Sequence, residues 1–426
     1  MKKVSQSIFA VMFLFGIIAL ALPAFAGGLY ISQVSSPLSL GTAGVFNVVN
    51  NVAADAAYTN PAGMTGIDRD TFMPGIQVLF PSAEFKSSVA EAGGEDGGNA
   101  GAIAAIPGLN VVKVYSDKLR LGLAVTAPLG GGVDYGDNFV GRYSATRAFL
   151  SGLGITPSLA YKINNRVSLG VGITAIYTIM DMDIAINRNA LTPELTSLPD
   201  GKVSMDKIDD MSPQGVFGLT WQVADNAMIG FVYRTRSEVE LEGDLEFHGT
   251  PLLNQITGSP DKVGVDFEYA QVFAVGMAYQ ASDNLKLIMD LDYEDWSEFS
   301  NNLISVDSTN GAIVALDRNW EDTWHIGVAA IYNFGDGRLS TVGIGYDSSP
   351  VDDEDRTADL PVDEQVKFGI SYSKLREEGK FDYSVGLGFV WLGDGKIDQV
   401  AQGVRYAGEY DPNYFISLGG NLRYHF

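Results

Sequence analysis

The residues of this chain best placed to do chemistry are arginines and carboxylates set at every second position. Arg234 and Arg236 are followed by Glu238, Glu240 and Glu242 in one row, and Asp290, Asp292 and Glu294 form a second. Alternate residues of an extended strand share a face. Two guanidinium groups on one face could hold a carboxylate ligand through charge-assisted hydrogen bonds, or they could form a salt-bridge ladder with the second row. Catalysis has less to draw on. The three histidines (His248, His325, His425) lie far apart and there is no cysteine, so thiolate nucleophiles, disulfides and a His-rich zinc site are not expected. Neither a G-x-S-x-G elbow nor a phosphate-binding G-x-x-x-x-G-K-[ST] loop occurs. We therefore expect no enzyme, no metal and no cofactor. The net charge of −24 argues against nucleic acid, which needs clustered cations.

The elements that carry these rows are strands. Val167, Leu169, Val171, Ile173, Ala175, Tyr177 and Ile179 alternate with Ser168, Gly170, Gly172, Thr174, Ile176 and Thr178. One face is large and apolar and the other mostly small or polar, which is the period of a strand. The run of about 13 residues exceeds the usual ~5–6 of globular strands and suits a tilted membrane strand of ~9–11 or slightly more. The pattern recurs along the chain, with aromatics at strand ends on the apolar face, as membrane interfaces require. Glycine at 49 of 426 residues, 11% aromatics and only 19% charged residues fit an all-β architecture. We count fourteen strands between residues 71 and 426, the third over 119–127, the seventh over 226–243 and the ninth over 285–305. Short turns such as Asn164-Asn165 alternate with long loops, as in outer-membrane barrels. One long loop carries the acidic run Asp352-Asp353-Glu354-Asp355, a solvated patch or a bridge through divalent cations to lipopolysaccharide.

Residues 1–26 read as a secretory signal peptide: Lys2 and Lys3, an apolar run from Ile8 to Leu22, Pro23, then Ala24-Phe25-Ala26. Residues 27–70 are rich in Gly, Ala, Asn and Ser and are expected to fold inside the barrel as a plug. Export without a transmembrane helix, together with the strand pattern, places the chain in the outer membrane of a Gram-negative bacterium. The alternating last strand ends on Phe426, the typical end that barrel-assembly machinery recognises.

Gly27-Gly28-Leu29-Tyr30, Gly41-Thr42-Ala43-Gly44, Ala53-Ala54-Asp55-Ala56-Ala57-Tyr58 and Asn60-Pro61-Ala62-Gly63-Met64 resemble the FadL/TodX-type outer-membrane transporters. So do Tyr233-Arg234 leading to Ser237-Glu238-Val239, Trp296-Ser297-Glu298-Phe299, and Tyr346-Asp347-Ser348-Ser349-Pro350 followed by Leu360-Pro361. The matches run in family order over essentially the whole mature chain. The resemblance implies a monomeric 14-stranded antiparallel transmembrane β-barrel with an N-terminal hatch carrying Asn60, Pro61 and Ala62. It implies passive uptake of hydrophobic compounds, most typically long-chain fatty acids and otherwise aromatic hydrocarbons. Ligand is captured by external loops, passed to an internal pocket and released sideways at an inward kink of the third strand. A general diffusion porin is the rival reading; it would need no apolar-leaning N-terminal segment.

Pro128, Gly130, Gly131 and Gly132 follow the third strand. Proline lacks the ladder N–H and glycine permits conformations that end pairing. Such a break is either the lateral gate or the start of an external loop; the resemblance favours the gate. Arg188 and Arg318 lie near where the family places basic residues around the ligand head group, although Asp181-Met182-Asp183 is acidic where a base would be expected. Phe139, Phe149, Leu191, Leu252 and Leu253 are candidates for an external apolar patch.

Overall fold

The computed structural model describes residue 30 and residues 36–187, 200–249, 261–306, 312–375 and 380–426. The signal peptide, Arg188, Leu191, Leu252 and Leu253 lie outside the described residues. Among the described residues, nineteen extended segments form one antiparallel sheet. Five wall strands are each broken into two pieces, so the segments make a closed barrel of fourteen strands. We number them β1 (Thr71–Ala90), β2 (Ala104–Val114), β3 (Leu119–Asp134), β4 (Arg147–Lys162), β5 (Val167–Ile186) and β6 (Gly201–Ala224). Then follow β7 (Ala227–Arg234 and Ser237–His248), β8 (Asp261–Tyr269 and Val272–Gln280) and β9 (Leu285–Glu294 and Asn301–Val306). The wall is completed by β10 (Ala312–Asp317 and Thr323–Asn333), β11 (Arg338–Asp347), β12 (Gln365–Lys374), β13 (Phe381–Trp391 and Ile397–Ala401) and β14 (Val404–His425). Pairing of β1 with β14, from Thr71↔His425 onward, closes the ring. Closure leaves no edge whose N–H and C=O groups would face hydrocarbon.

The faces follow from the alternation. On β5, Leu169, Val171 and Ile173 are exposed on the outside while Ser168 and Thr174 are buried inside. Trp221, Trp324, Tyr346 and Phe381 are among the exposed aromatics. No helix among the described residues is long and apolar enough to cross a membrane, which says nothing against crossing by strands.

Residues 36–67 pack against the inward faces of the wall. Ser36 caps the short helix Pro37–Gly41, accepting from Ser39 N at 3.2 Å. Asn60 opens the 3-10 helix Pro61–Gly66, its Oδ1 accepting from Ala62 N at 3.1 Å. Pro61 fits the first helical position because its missing N–H has no partner there anyway. Asn60 Nδ2 also donates to Val48 O at 2.6 Å and to the wall at Leu219 O at 3.3 Å.

Cross-strand glycine pairs make room for this segment. Gly170 of β5 stands opposite Gly218 of β6; a Cβ on the first would sit 2.2 Å from Ala62 N, and on the second 2.1 Å from Asn60 Oδ1. Gly230 and Gly276 are paired beneath Val48, and Gly343 and Gly369 beneath Thr42 and Leu40. The small face of the strand alternation is thus a docking surface where backbone meets backbone.

Candidate functional site

β3 breaks the wall's regularity. Burial alternates only as far as Leu123; from Ala124 through Gly130 every residue is buried. Pairing with β2 ends at Leu109↔Val125, and the β4 register is interrupted between Thr126 and Leu129. Among the described residues, Ala127 and Pro128 have no ladder partner on either neighbour. Backbone of this kind persists at membrane depth only where protein or a cavity surrounds it. Leu129 is bridged from inside by Tyr30. The Tyr30 hydroxyl donates to Ala270 O at 2.8 Å and accepts from Gln214 Nε2 at 2.8 Å, with its ring 5.0 Å from that of Trp296. β3 does not end at residue 127. Pairing with β4 resumes at Leu129↔Gly152 and runs to Asp134↔Arg147, so Pro128 and Gly130–Gly132 belong to an irregular strand and do not begin an external loop.

Beside this irregularity lies an apolar cavity of about 320 Å³. Gly131 of β3 lines it, with Ala148, Phe149 and Leu150 of β4. Met180, Asp181 and Met182 of β5 line it as consecutive residues because the β5–β6 register shifts there. Met205, Val265, Phe267, Phe299 and Ile304 supply further apolar lining. One corner is polar. Arg318 donates from Nε to Asn302 Oδ1 at 2.6 Å, from Nη1 to Thr357 Oγ1 at 3.0 Å, and from Nη2 to Asp359 Oδ2 at 2.6 Å. Burial works to raise the Asp359 carboxyl, but the Arg318 guanidinium and hydrogen bonds from Arg318 and Thr357 outweigh it and hold the group below the usual carboxylate range.

The loop carrying Thr357, Asp359 and Leu360 is tied by Arg356, which is 1% exposed. Its guanidinium donates to Val362 O and Lys396 O, both at 2.7 Å, and to Val351 O at 3.0 Å. It also pairs with Asp353 at 2.7 Å, which draws in the acidic run. Asp359, Thr357, Asn302, Arg356 and the three methionines were not singled out from sequence. Leu360-Pro361, in the same loop, was the signal nearest to them.

Arg234 is also buried and inward, but it serves the N-terminal segment. Its Nη2 donates to Tyr58 O at 2.6 Å, and its guanidinium lies 4.2 Å from the Tyr58 ring centroid. The hollow beside it, about 80 Å³, is bordered by Pro128, Asp292 and Glu294. Arg236 lies elsewhere, against Asp295, Glu298 and Glu268. The single row from Arg234 to Glu242 does not exist. β7 breaks between Arg234 and Ser237, and side-chain parity flips across the break. Val239 and Leu241 are fully buried, whereas Glu238, Glu240 and Glu242 are exposed on the outside. The ladder with Asp290, Asp292 and Glu294 does not form either: Arg234 faces inward but is spent on Tyr58, Arg236 is turned to Asp295, Glu298 and Glu268, and Asp290 faces His325 at 3.4 Å. Of the two aromatics expected in an external patch, Phe149 lies in β4 and reaches the cavity, whereas Phe139 is fully buried and stacks on Tyr135 at 4.1 Å.

A larger concavity, about 680 Å³, is lined by Met277, Leu287, Met289, Val328, Val342 and Ile344. These belong to the exposed apolar face. In a membrane acyl chains fill it, so it is part of the lipid contact.

Residues 17–426 match the model of the family described as outer membrane protein transport protein (OMPP1/FadL/TodX). The chain is 22% identical over 432 residues to the long-chain fatty acid transport protein of Escherichia coli O6:H1, covering 95% of each. It is 22% identical to outer membrane protein P1 of Haemophilus influenzae Rd, covering 93% of this chain and 92% of that one. A FadL homologue from Pseudomonas aeruginosa has the same fold at a TM-score of 0.85 and 19% identity, over 94% of this chain and 100% of that chain. The Pseudomonas putida toluene transporter TodX superposes with a TM-score of 0.70 at 16% identity, over 95% and 100%. With signature residues, barrel and family match in agreement along the chain, it belongs to the OMPP1/FadL/TodX family of outer-membrane transport proteins of Gram-negative bacteria.

Proposed function

We propose that this chain is a passive uptake channel for hydrophobic compounds, with long-chain fatty acids as its substrate class. One observation carries the reading: an apolar cavity lies directly against the interrupted strand. Gly131 lines the 320 Å³ space, and Ala127 and Pro128, a few residues before it, lack ladder partners among the described residues. Its volume falls within the ~300–1,000 Å³ of small-molecule sites. Substrate enters from the external loops, lodges among Phe149, Met180 and Phe267 with its polar end near Arg318, and leaves sideways past Pro128. Residues 36–67, docked through Asn60–Ala62, act as the hatch that keeps the lumen shut to polar solutes. No nucleotide is consumed, and the substrate gradient drives flux. The aromatic hydrocarbons of the toluene transporters are the second reading, favoured by Asp359, which already neutralises Arg318.

Uptake of labelled oleate and labelled toluene by cells lacking their own transporter tests this, with a variant lacking Asn60–Met64 as control. Oleate uptake that depends on the chain supports the fatty-acid channel. Toluene uptake alone supports the second reading. Leakage of small polar solutes with uptake of neither leaves a porin.

A further inference from the structure

We propose that Asp359 makes the Arg318 corner selective for a ligand whose polar end is uncharged, such as a hydroxyl or a protonated carboxyl, against a carboxylate. This rests on the uptake reading above and specifies what the cavity accepts.

The charges decide it. Among the described residues lining the cavity there is one cation, Arg318, and there are two carboxylates, Asp181 and Asp359. The Arg318 and Asp359 side chains are 9% and 7% exposed and lie 2.6 Å apart. Asp181 is partly offset by Arg147 at 3.6 Å and accepts from Lys207 N at 2.6 Å. An entering carboxylate would share one guanidinium with a carboxylate already seated on it, where water screens poorly. Nor can Asp359 easily swing aside, since Arg356 ties its loop to Val351, Val362 and Lys396.

A neutral head group fits the same corner. Three of the five guanidinium N–H groups are committed, to Asn302, Thr357 and Asp359. A hydroxyl or protonated carboxyl can accept from a remaining N–H and donate its own proton to a carboxylate oxygen. A carboxylate only accepts.

The test is calorimetric titration of the purified full chain in detergent micelles at pH 8 with oleyl alcohol and with oleate. Oleyl alcohol should bind more tightly by about tenfold or more, since a like-charge contact near a protein surface is worth up to about a thousandfold and attraction to Arg318 offsets part of it. D359N should erase or invert that ratio, and D181N should move it the same way by less. Oleate binding as tightly as the alcohol to the parent overturns the inference while leaving the channel intact. So does an unchanged ratio in a D359N protein that keeps the parent's heat-modifiable gel mobility. If D359N does not fold, D181N decides, and an unchanged ratio there overturns it. Binding of neither ligand to the folded parent sinks the uptake reading itself.

Discussion

Arg234 and Arg318 are equally buried, each 9% exposed, and sit in opposite surroundings. Arg234 stacks on Tyr58 and donates to its carbonyl, beside a hollow of about 80 Å³. Arg318 holds a carboxylate from a distant loop at the edge of an apolar space of about 320 Å³. The first fastens the N-terminal segment to the wall; the second borders room for a ligand. A buried cation therefore says little about function until the space beside it is known. Close packing beside Arg234 and open apolar volume beside Arg318 distinguish two parts of the interior.

The largest expected effect comes from breaking the closely packed part. Gly218→Leu, with its Cβ aimed at Asn60, should displace residues 36–67 and turn a shut barrel into an ion-conducting pore in planar bilayers. Unchanged conductance would remove the hatch from the account. Arg318→Ala should come next, because it leaves Asp359 buried without its partner. We expect a loss toward the low end of about 3–5 kcal/mol, given the adjoining cavity, read from denaturant unfolding. Arg318→Met combined with Asp359→Leu should recover most of it.

Phe149→Asp sharpens the comparison from the ligand side. A charge placed in the apolar lining should weaken oleyl alcohol binding on the order of tenfold without altering conductance. Arg234→Ala should do the reverse, raising protease sensitivity of the N-terminal segment while sparing affinity. A smaller effect is expected with pH. The Asp359 carboxyl is held below its ordinary range, so its contribution is fully present above the unfolded value of about 4 and is lost as pH falls through the lowered folded value. D359N should flatten that acid limb of the stability profile. Lys86→Ala, which removes an exposed pair with Glu84, should change stability by less than ~1 kcal/mol.

The wall was legible because a membrane strand must show one apolar face, and Leu169, Val171 and Ile173 announce it locally. The small face was equally visible at Gly170, but its use was not, since the partner Ala62 lies more than a hundred residues earlier in the chain. Extrapolated alternation failed at residues 235–236. A break in one strand reverses every later side chain, and nothing in the residues of β7 marks the break. Pro128 and the glycines after it were read as interrupting β3, and the loop reading failed because β4 supplies pairing beyond the interruption. Arg318 came from family resemblance; its partner Asn302 is set by the pairing of β9 with β10, and Thr357 and Asp359 by loop closure, which no local period encodes.

The most direct test of the account is a crystal structure of the protein soaked with a brominated long-chain fatty acid, located by anomalous scattering. The account predicts bromine in the cavity bounded by Phe149, Met180 and Phe267. Bromine confined to the outer concavity of Met289 and Val328, with the inner cavity empty, would contradict it.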